Sequence, residues 1–289
     1  MFAGTYTAIV TPFKQGRVDF EAYERLIERQ IAGGVEGIVP AGCTGEAATL
    51  SAEEQLDVIR FASERVKGRV QIIAGTGSNC TREAVELTSE ACTVDIQGVL
   101  VITPYYNKPM PSGLKSHYYA VADASRVPVM VYNVPGRTGT KISPATIAEL
   151  AKHPNIKAVK EACGSVDQVS EILGLCDIEV LSGDDSLTVP MMAVGAKGVV
   201  SVCSNVIPRE ISDCVRSALK GDFAAARRAH LAWFDLGKSL FVESNPIPVK
   251  TLLGELGLIE KELRLPLEYG QPATVNIVKD LIAKYRLRP

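Results

Sequence analysis

The sequence predicts an α/β chain folded as a (β/α)8 barrel, the TIM-barrel architecture, with a C-terminal helical extension, and three observations predict it. Short apolar runs alternate with amphipathic segments from the N-terminus to about residue 200, the rhythm of a parallel sheet crossed by helices. That alternation provides eight strand-like runs, and a barrel of this kind typically takes about 250 residues of the 289 present. Past residue 207 the strand pattern stops and helical periodicity alone remains. The expected organisation is therefore a barrel over 1–207 and a helical part over 208–289 packed on it.

In order, the expected strands are TYTAIV (5–10), VEGIVP (35–40), VQIIAG (70–75), GVLVIT (98–103), PVMVY (128–132), IKAVK (156–160), IEVLSG (178–183) and GVVSV (198–202). Between them, FEAYERLIERQIAGG, SAEEQLDVIRFASERV and TREAVELTSEACTV carry apolar residues at helical spacing. Ser51 ahead of Glu53 and Glu54, and Thr81 ahead of Glu83, predict helix N-caps with acidic first turns. The C-terminal part reads as helices over 208–219, 222–240, 247–256 and 274–285, interrupted by Pro246, Pro248, Pro266 and Pro272.

Composition removes several classes of function. A net charge of -2 with no basic run argues against nucleic acid or an anionic membrane as partner. No apolar stretch approaches the ~20 residues of a membrane span, and MFAGTYTAIV lacks the basic and apolar regions of a signal peptide. Seven scattered cysteines with no CxxC pair predict reduced thiols and a cytoplasmic location. His117, His153 and His230 are far apart, outside any metal or triad spacing, and read as ordinary surface or core histidines.

In such a barrel, working residues sit at the C-terminal strand ends and in the loops that follow. The sixth run, IKAVKEA (156–162), ends in Lys160, and a period of two places Ile156, Ala158 and Lys160 on one face with Val159 opposite. A desolvated lysine has a lowered pKa, and its free amine attacks a ketone to form a Schiff base. The bland alternative is a lysine that snorkels to water or pairs with Glu161.

Tyr132 ends the neighbouring fifth run, sharing a face with Pro128 and Met130, and adjacent strands lie ~4.8 Å apart. If that face points inward, the phenol stands beside the amine, placed to move the protons of imine formation. After the second run, PAGCTGEAATL (40–50) offers Thr44 and the amides of Thr44 and Gly45 as a carboxylate grip, or else a plain turn and helix cap. Arg137 in NVPGRTG offers a fork matched to a second carboxylate, and TPYYNKP (103–109) carries two adjacent tyrosines.

GCTGEAATL, PYYNKP, VYNVPGRTG, AVKEA, LSGDD and FVESNPIPVK together resemble the dihydrodipicolinate (4-hydroxy-tetrahydrodipicolinate) synthases. That family belongs to the pyruvate-dependent class I aldolases, which also hold N-acetylneuraminate lyase. The resemblance runs from Gly4 to about Lys284. It implies a lyase of the diaminopimelate route to L-lysine, condensing pyruvate with L-aspartate 4-semialdehyde. By this resemblance Lys160 forms the Schiff base, Tyr132 donates and accepts protons, and Thr44 with Gly45 holds the pyruvate carboxylate. Val200 lines the pyruvate site through its backbone, Arg137 binds the second substrate, and Tyr106 completes a proton relay from a neighbouring subunit. A homotetramer built as a dimer of dimers is implied, as are the absence of any metal or organic cofactor and feedback by L-lysine. The inhibitor pocket would be built from Ala48, Asn79, Glu83 and Tyr105.

Two departures stand out. Cys43 occupies the place of the second relay hydroxyl that usually precedes the pyruvate-binding threonine, and a thiol is the weaker hydrogen-bonding group. Ala52 and Gln55 stand where relatives often carry basic or imidazole groups, which predicts weaker inhibition by L-lysine. On the residues alone, Asn79 and Glu83 would also serve as caps for the helix near Thr81. The nearest rival activity, an aldolase of sugar acids or another aldehyde, would keep Lys160, Tyr132 and Thr44 but need neither Arg137 nor the tyrosine pair. A rival of another class is a non-catalytic barrel serving as a regulatory subunit.

Overall fold

Alternation in the strands buries two faces at once. In the computed structural model, which describes residues 1–289, eight parallel strands close into a barrel. They are β1 (Gly4–Ala8), β2 (Gly37–Val39), β3 (Gln71–Gly75), β4 (Gly98–Ile102), β5 (Val129–Asn133), β6 (Ile156–Glu161), β7 (Glu179–Ser182) and β8 (Gly198–Ser201). Tyr6, Leu100, Met130, Ala158, Leu181 and Val200 fill the interior, with Phe2 in the same cluster. The intervening Val99, Val101, Val129, Val131, Val159 and Val199 face outward into the helices. β-Branched residues stiffen that outer surface, and helices on the outside explain why whole strands such as VMVYN are buried.

The ring closes where β1 pairs with β8, Gly4 opposite Gly198. A Cβ on Gly198 would stand 1.9 Å from the carbonyl oxygen of Gly4, so only glycine permits that approach.

The helices are α1 (Phe20–Gly33), α2 (Ala52–Val66), α3 (Thr81–Ala91), α4 (Pro111–Ala124), α5 (Pro135–Thr138), α6 (Pro144–Leu150), α7 (Val166–Leu175), α8 (Thr188–Ala193), α9 (Pro208–Leu219), α10 (Phe223–Ser239), α11 (Ile247–Glu255) and α12 (Pro272–Tyr285). Ser51 caps α2 in a full capping box with Glu54. Thr81 is not a cap. Cys80 holds that position without a side-chain bond, while the Thr81 hydroxyl bonds His117 Nδ1 at 3.0 Å. Glu83 and Asn79 do not cap α3 either: Glu83 accepts from Ser78 Oγ at 2.8 Å, and Asn79 donates to the carbonyl of Tyr105 at 3.1 Å.

Several prolines open helices instead of breaking them. Pro208 and Pro272 begin α9 and α12, and Pro248 lies in the first turn of α11, where the missing N–H costs nothing. α9 packs on α1 and β1, so the βα alternation runs on to Leu219. α10, α11 and α12 stand outside it. No helix is long and apolar enough to cross a membrane.

One strand departs from its expected face. β5 and β6 pair Val129 with Ile156, then Met130 with Ala158, skipping Lys157. This irregularity turns Ile156 into the outer core, while Ala158 stays inside. Ile156 therefore does not share the face of Ala158 and Lys160. An exposed Lys157 fits the extra residue of a bulge, which needs no partner across the ladder.

Candidate active site at the C-terminal rim of the barrel

Above the irregularity the register is regular, with Tyr132 opposite Lys160 and Asn133 opposite Glu161. Even residues of β5 point inward, so the phenol and the amine meet inside the barrel. The Lys160 ammonium lies 4.1 Å from the centroid of the Tyr132 ring. Only 4% of Lys160 is exposed. Burial lowers its pKa to about 8, although Cys43, Asp184 and Asp185 pull the other way. Burial pushes the Tyr132 phenol well above its ordinary value. At neutral pH the pair thus combines an amine with an accessible neutral form and a phenol that keeps its proton.

Lys160 neither snorkels out nor pairs with Glu161. The Glu161 carboxylate is buried on the far side of β6, accepting from Asn133 Nδ2 at 3.0 and 2.9 Å, Gln168 Nε2 at 2.9 Å and the Cys163 amide at 2.9 Å. The carboxylates that act on the amine are those of Asp184 and Asp185 after β7. Asp185 accepts from the Val202 and Cys203 amides, both at 3.0 Å, and from the Ser201 hydroxyl. It thereby fixes the chain just past Val200, an interior residue of β8. Burial raises the pKa of both aspartates, and Lys160 opposes it.

The loop after β2 is a series of turns in which the amides of Thr44 and Gly45 donate to no carbonyl. They are free to receive an anion. The Thr44 hydroxyl accepts from Asn245 Nδ2 at 2.9 Å, and the backbone carbonyl of the same Asn245 accepts from Arg137 Nη2 at 2.9 Å. One residue between α10 and α11 therefore joins the Thr44 loop to the Arg137 loop. Two residues on from Thr44, the buried Glu46 carboxylate pairs with the buried Lys250 of α11.

A cavity of about 550 Å³ opens over these groups, within the usual range for small-molecule sites. Cys43, Tyr132, Arg137, Ala48, Glu83 and Tyr105 line it, as do Ala52 and Gln55. Thr44, Gly45, Lys160, Val200 and Asn79 do not, although Lys160 lies directly against Tyr132 of its wall. Tyr106 is set apart altogether: it is 89% exposed, with a left-handed φ of 74°, and is not among the residues that line the cavity.

A buried lysine amine over a phenol at the top of a closed barrel, with free amides beside it, suits Schiff-base chemistry on a carbonyl compound that carries an anion. The family model described as the dihydrodipicolinate synthetase family matches residues 1–284. The chain belongs to this dihydrodipicolinate synthetase family. Among relatives in the family, the 4-hydroxy-tetrahydrodipicolinate synthase of Geobacter metallireducens is 53% identical over 269 residues, covering 92% of this chain and 93% of the relative. The crystal structure of dihydrodipicolinate synthase from Aquifex aeolicus superposes with a TM-score of 0.97 at 49% identity, covering 99% of each chain. The synthase from Cyanidioschyzon merolae, solved with lysine bound, gives 0.94 at 39% identity over 98% of this chain and 97% of that one.

Sequence reasoning missed Asn245 as a site residue, and assigned no part to Asn133, Glu161, Asp184 or Asp185. Their segments were visible within FVESNPIPVK, VYNVPGRTG, AVKEA and LSGDD. Which side chain of each segment turned to the site, and which to the opposite face of the sheet, was not.

Proposed function

We propose that the chain is a 4-hydroxy-tetrahydrodipicolinate synthase, a lyase that condenses pyruvate with L-aspartate 4-semialdehyde through a Schiff base on Lys160. The observation that carries this reading is the buried Lys160 amine, lowered to about 8 and lying 4.1 Å from the centroid of the Tyr132 ring. The neutral amine adds to the keto carbon of pyruvate, and loss of water from the carbinolamine leaves an iminium. Tyr132 supplies the proton for the departing hydroxyl and takes one back. Loss of a proton from the pyruvate methyl gives the enamine, whose carbon attacks the aldehyde. The substrate amine then closes the ring onto the former keto carbon and expels Lys160.

The remaining groups have supporting parts in this reading. The amides of Thr44 and Gly45 hold the pyruvate carboxylate with the Thr44 hydroxyl, and the backbone at Val200 bounds the site. Arg137, already aimed by Asn245, binds the carboxylate of the second substrate. Cys43 stands on the cavity wall as a relay thiol. Tyr106 is exposed and lines no part of its own cavity, which suits a relay into a neighbouring subunit of a dimer-of-dimers tetramer. Ala48, Glu83 and Tyr105 on the cavity wall, with Asn79 bonded to the Tyr105 carbonyl, form the pocket for inhibitory L-lysine.

Borohydride reduction in the presence of pyruvate, read by intact mass and peptide mapping, tests the proposal. A reduced adduct on Lys160, absent in Lys160→Ala, is expected. Label on a different lysine, or none at all, refutes it.

A further inference from the structure

Glu161 follows Lys160 and Asn133 follows Tyr132, and these second members of each pair meet on the opposite face of the sheet. Glu161 is completely buried, as is Asn133. The carboxylate receives four hydrogen bonds, all from neutral donors: two from Asn133, one from Gln168 and one from the Cys163 amide. A buried carboxylate with amide donors but no cationic partner is a costly way to fill a strand face, since an apolar side chain would do so more cheaply.

Its partners indicate what it holds. Asn133 lies directly across the ladder, at the register position next to the Tyr132–Lys160 pair. The Asn133 side chain also accepts from the Ile142 amide at 3.1 Å, and Gln168 of α7 donates to the Ile142 carbonyl at 3.0 Å. The bond across β5 and β6 therefore ties in the loop after one strand and the helix after the other. It sits just above the place where the same two strands lose regular pairing, between Val129 and Met130. A strand pair with an irregular lower half requires its register to be set elsewhere, because a one-residue slip turns every side chain to the other face.

We propose that Glu161 and Asn133 are a positioning pair that holds Lys160 and Tyr132 in apposition for imine formation. The inference rests on the reading of Lys160 and Tyr132 given above. Glu161 touches no substrate. The Glu161 oxygens accept from the Asn133 amide and fix β6 against β5, and the amine and phenol inherit that alignment one residue earlier.

A reversal of donor and acceptor tests this. Glu161→Gln keeps one acceptor oxygen but turns a second NH2 donor toward the Asn133 NH2, and Asn133→Asp sets two carboxyl groups together with no amide donor between them. The double variant restores one donor facing one acceptor. Each single variant is expected to slow borohydride-trapped pyruvate adduct formation at Lys160 at least tenfold, and the double variant to return within about threefold of wild type. Gln168→Leu removes a donor to the same carboxylate without touching the cross-strand bond, and should lower the unfolding temperature while leaving the adduct rate within about threefold. If either single variant does not fold, Asn133→Ser carries the same tenfold expectation.

Adduct rates within threefold of wild type in the singles overturn the proposal, as does a folded double variant no faster than its slower parent. Gln168→Leu slowing the reaction as much as the singles also overturns it, reducing the pair to a structural role. Wild-type protein that forms no Lys160 adduct overturns the assignment of Lys160, and the positioning pair with it. An adduct in wild type with unaffected variants refutes the pair alone.

Discussion

Trapping of pyruvate on Lys160 should follow the ionisation of a lysine displaced far below its ordinary value. Burial carries the ammonium from 10.5 down to about 8. At pH 7 this raises the neutral share from roughly 1 in 3,000 to roughly 1 in 10, a gain of two to three orders of magnitude or about 3 kcal/mol. Only the neutral amine attacks the keto carbon, so the initial rate of adduct formation at limiting pyruvate should rise about tenfold per pH unit below the midpoint. It should flatten above about 8. The assay quenches timed aliquots with borohydride at a series of pH values and counts adduct by intact mass.

Stability should carry the same signature with its own sign. Between about 8 and 10.5 the unfolded chain holds the proton that folded Lys160 has lost, so stability should rise with pH across that window. Lys160→Met should lose that slope. Asp184→Asn, which removes a carboxylate that raises the Lys160 value, should move the adduct midpoint lower. A midpoint at the ordinary lysine value, or a profile flat through pH 8, would refute the desolvation argument.

Arg137→Ala should leave adduct formation intact while lowering kcat/KM for the second substrate by ~1.5–3 kcal/mol, or roughly ten- to hundredfold; a loss of pyruvate binding instead would assign the arginine to the other carboxylate. Asn245→Ala should raise the KM for pyruvate severalfold, because Thr44 loses its donor, and spare the second substrate, because the carbonyl that holds Arg137 is backbone. Cys43→Thr should keep or increase turnover and Cys43→Val reduce it without loss of fold, whereas equal rates in all three proteins would remove the thiol from the relay. L-Lysine titrated to millimolar levels at sub-saturating pyruvate should inhibit modestly, on the scale of ~1–3 kcal/mol of coupling. Inhibition unchanged in both Tyr105→Phe and Glu83→Ala would place the inhibitor elsewhere.

Short apolar runs between amphipathic segments sufficed to read the eight strands, though not their exact ends, because both faces of each strand are buried and leave an uninterrupted apolar run. Lys160 and Tyr132 were legible for that reason: a polar terminus on such a run marks the rim. The irregularity at Lys157 was not, since skipping one residue leaves composition unchanged yet moves Ile156 to the outer core. Thr81 misled through local logic, because a hydroxyl ahead of an acidic turn fits a cap as well as it fits a bond to His117. Asn245 lies 201 positions along the chain from Thr44, and no local pattern reports a contact of that span.

That contact also changes how the C-terminal helices enter the chemistry. An anion site made of free amides works only while its loop is prevented from satisfying those amides internally, and the loop after β2 is short and turn-rich. α11 prevents this from beneath. Lys250 is sunk between the Thr11 carbonyl, 3.0 Å away, and the Glu46 carboxylate, with its ammonium 4.3 Å from the centroid of the Phe13 ring. The Arg264 amide holds the other Glu46 oxygen at 3.2 Å. Removing one partner of such a buried pair typically costs about 3–5 kcal/mol, because the remaining charge stays buried alone. From above, Asn245 grips the Thr44 hydroxyl and Arg137 together. The extension therefore restrains the proposed pyruvate loop at two points and the proposed second-substrate arginine at a third. Preorganisation of this kind lets free amides and a guanidinium wait in place for two carboxylates without reorganising when they arrive.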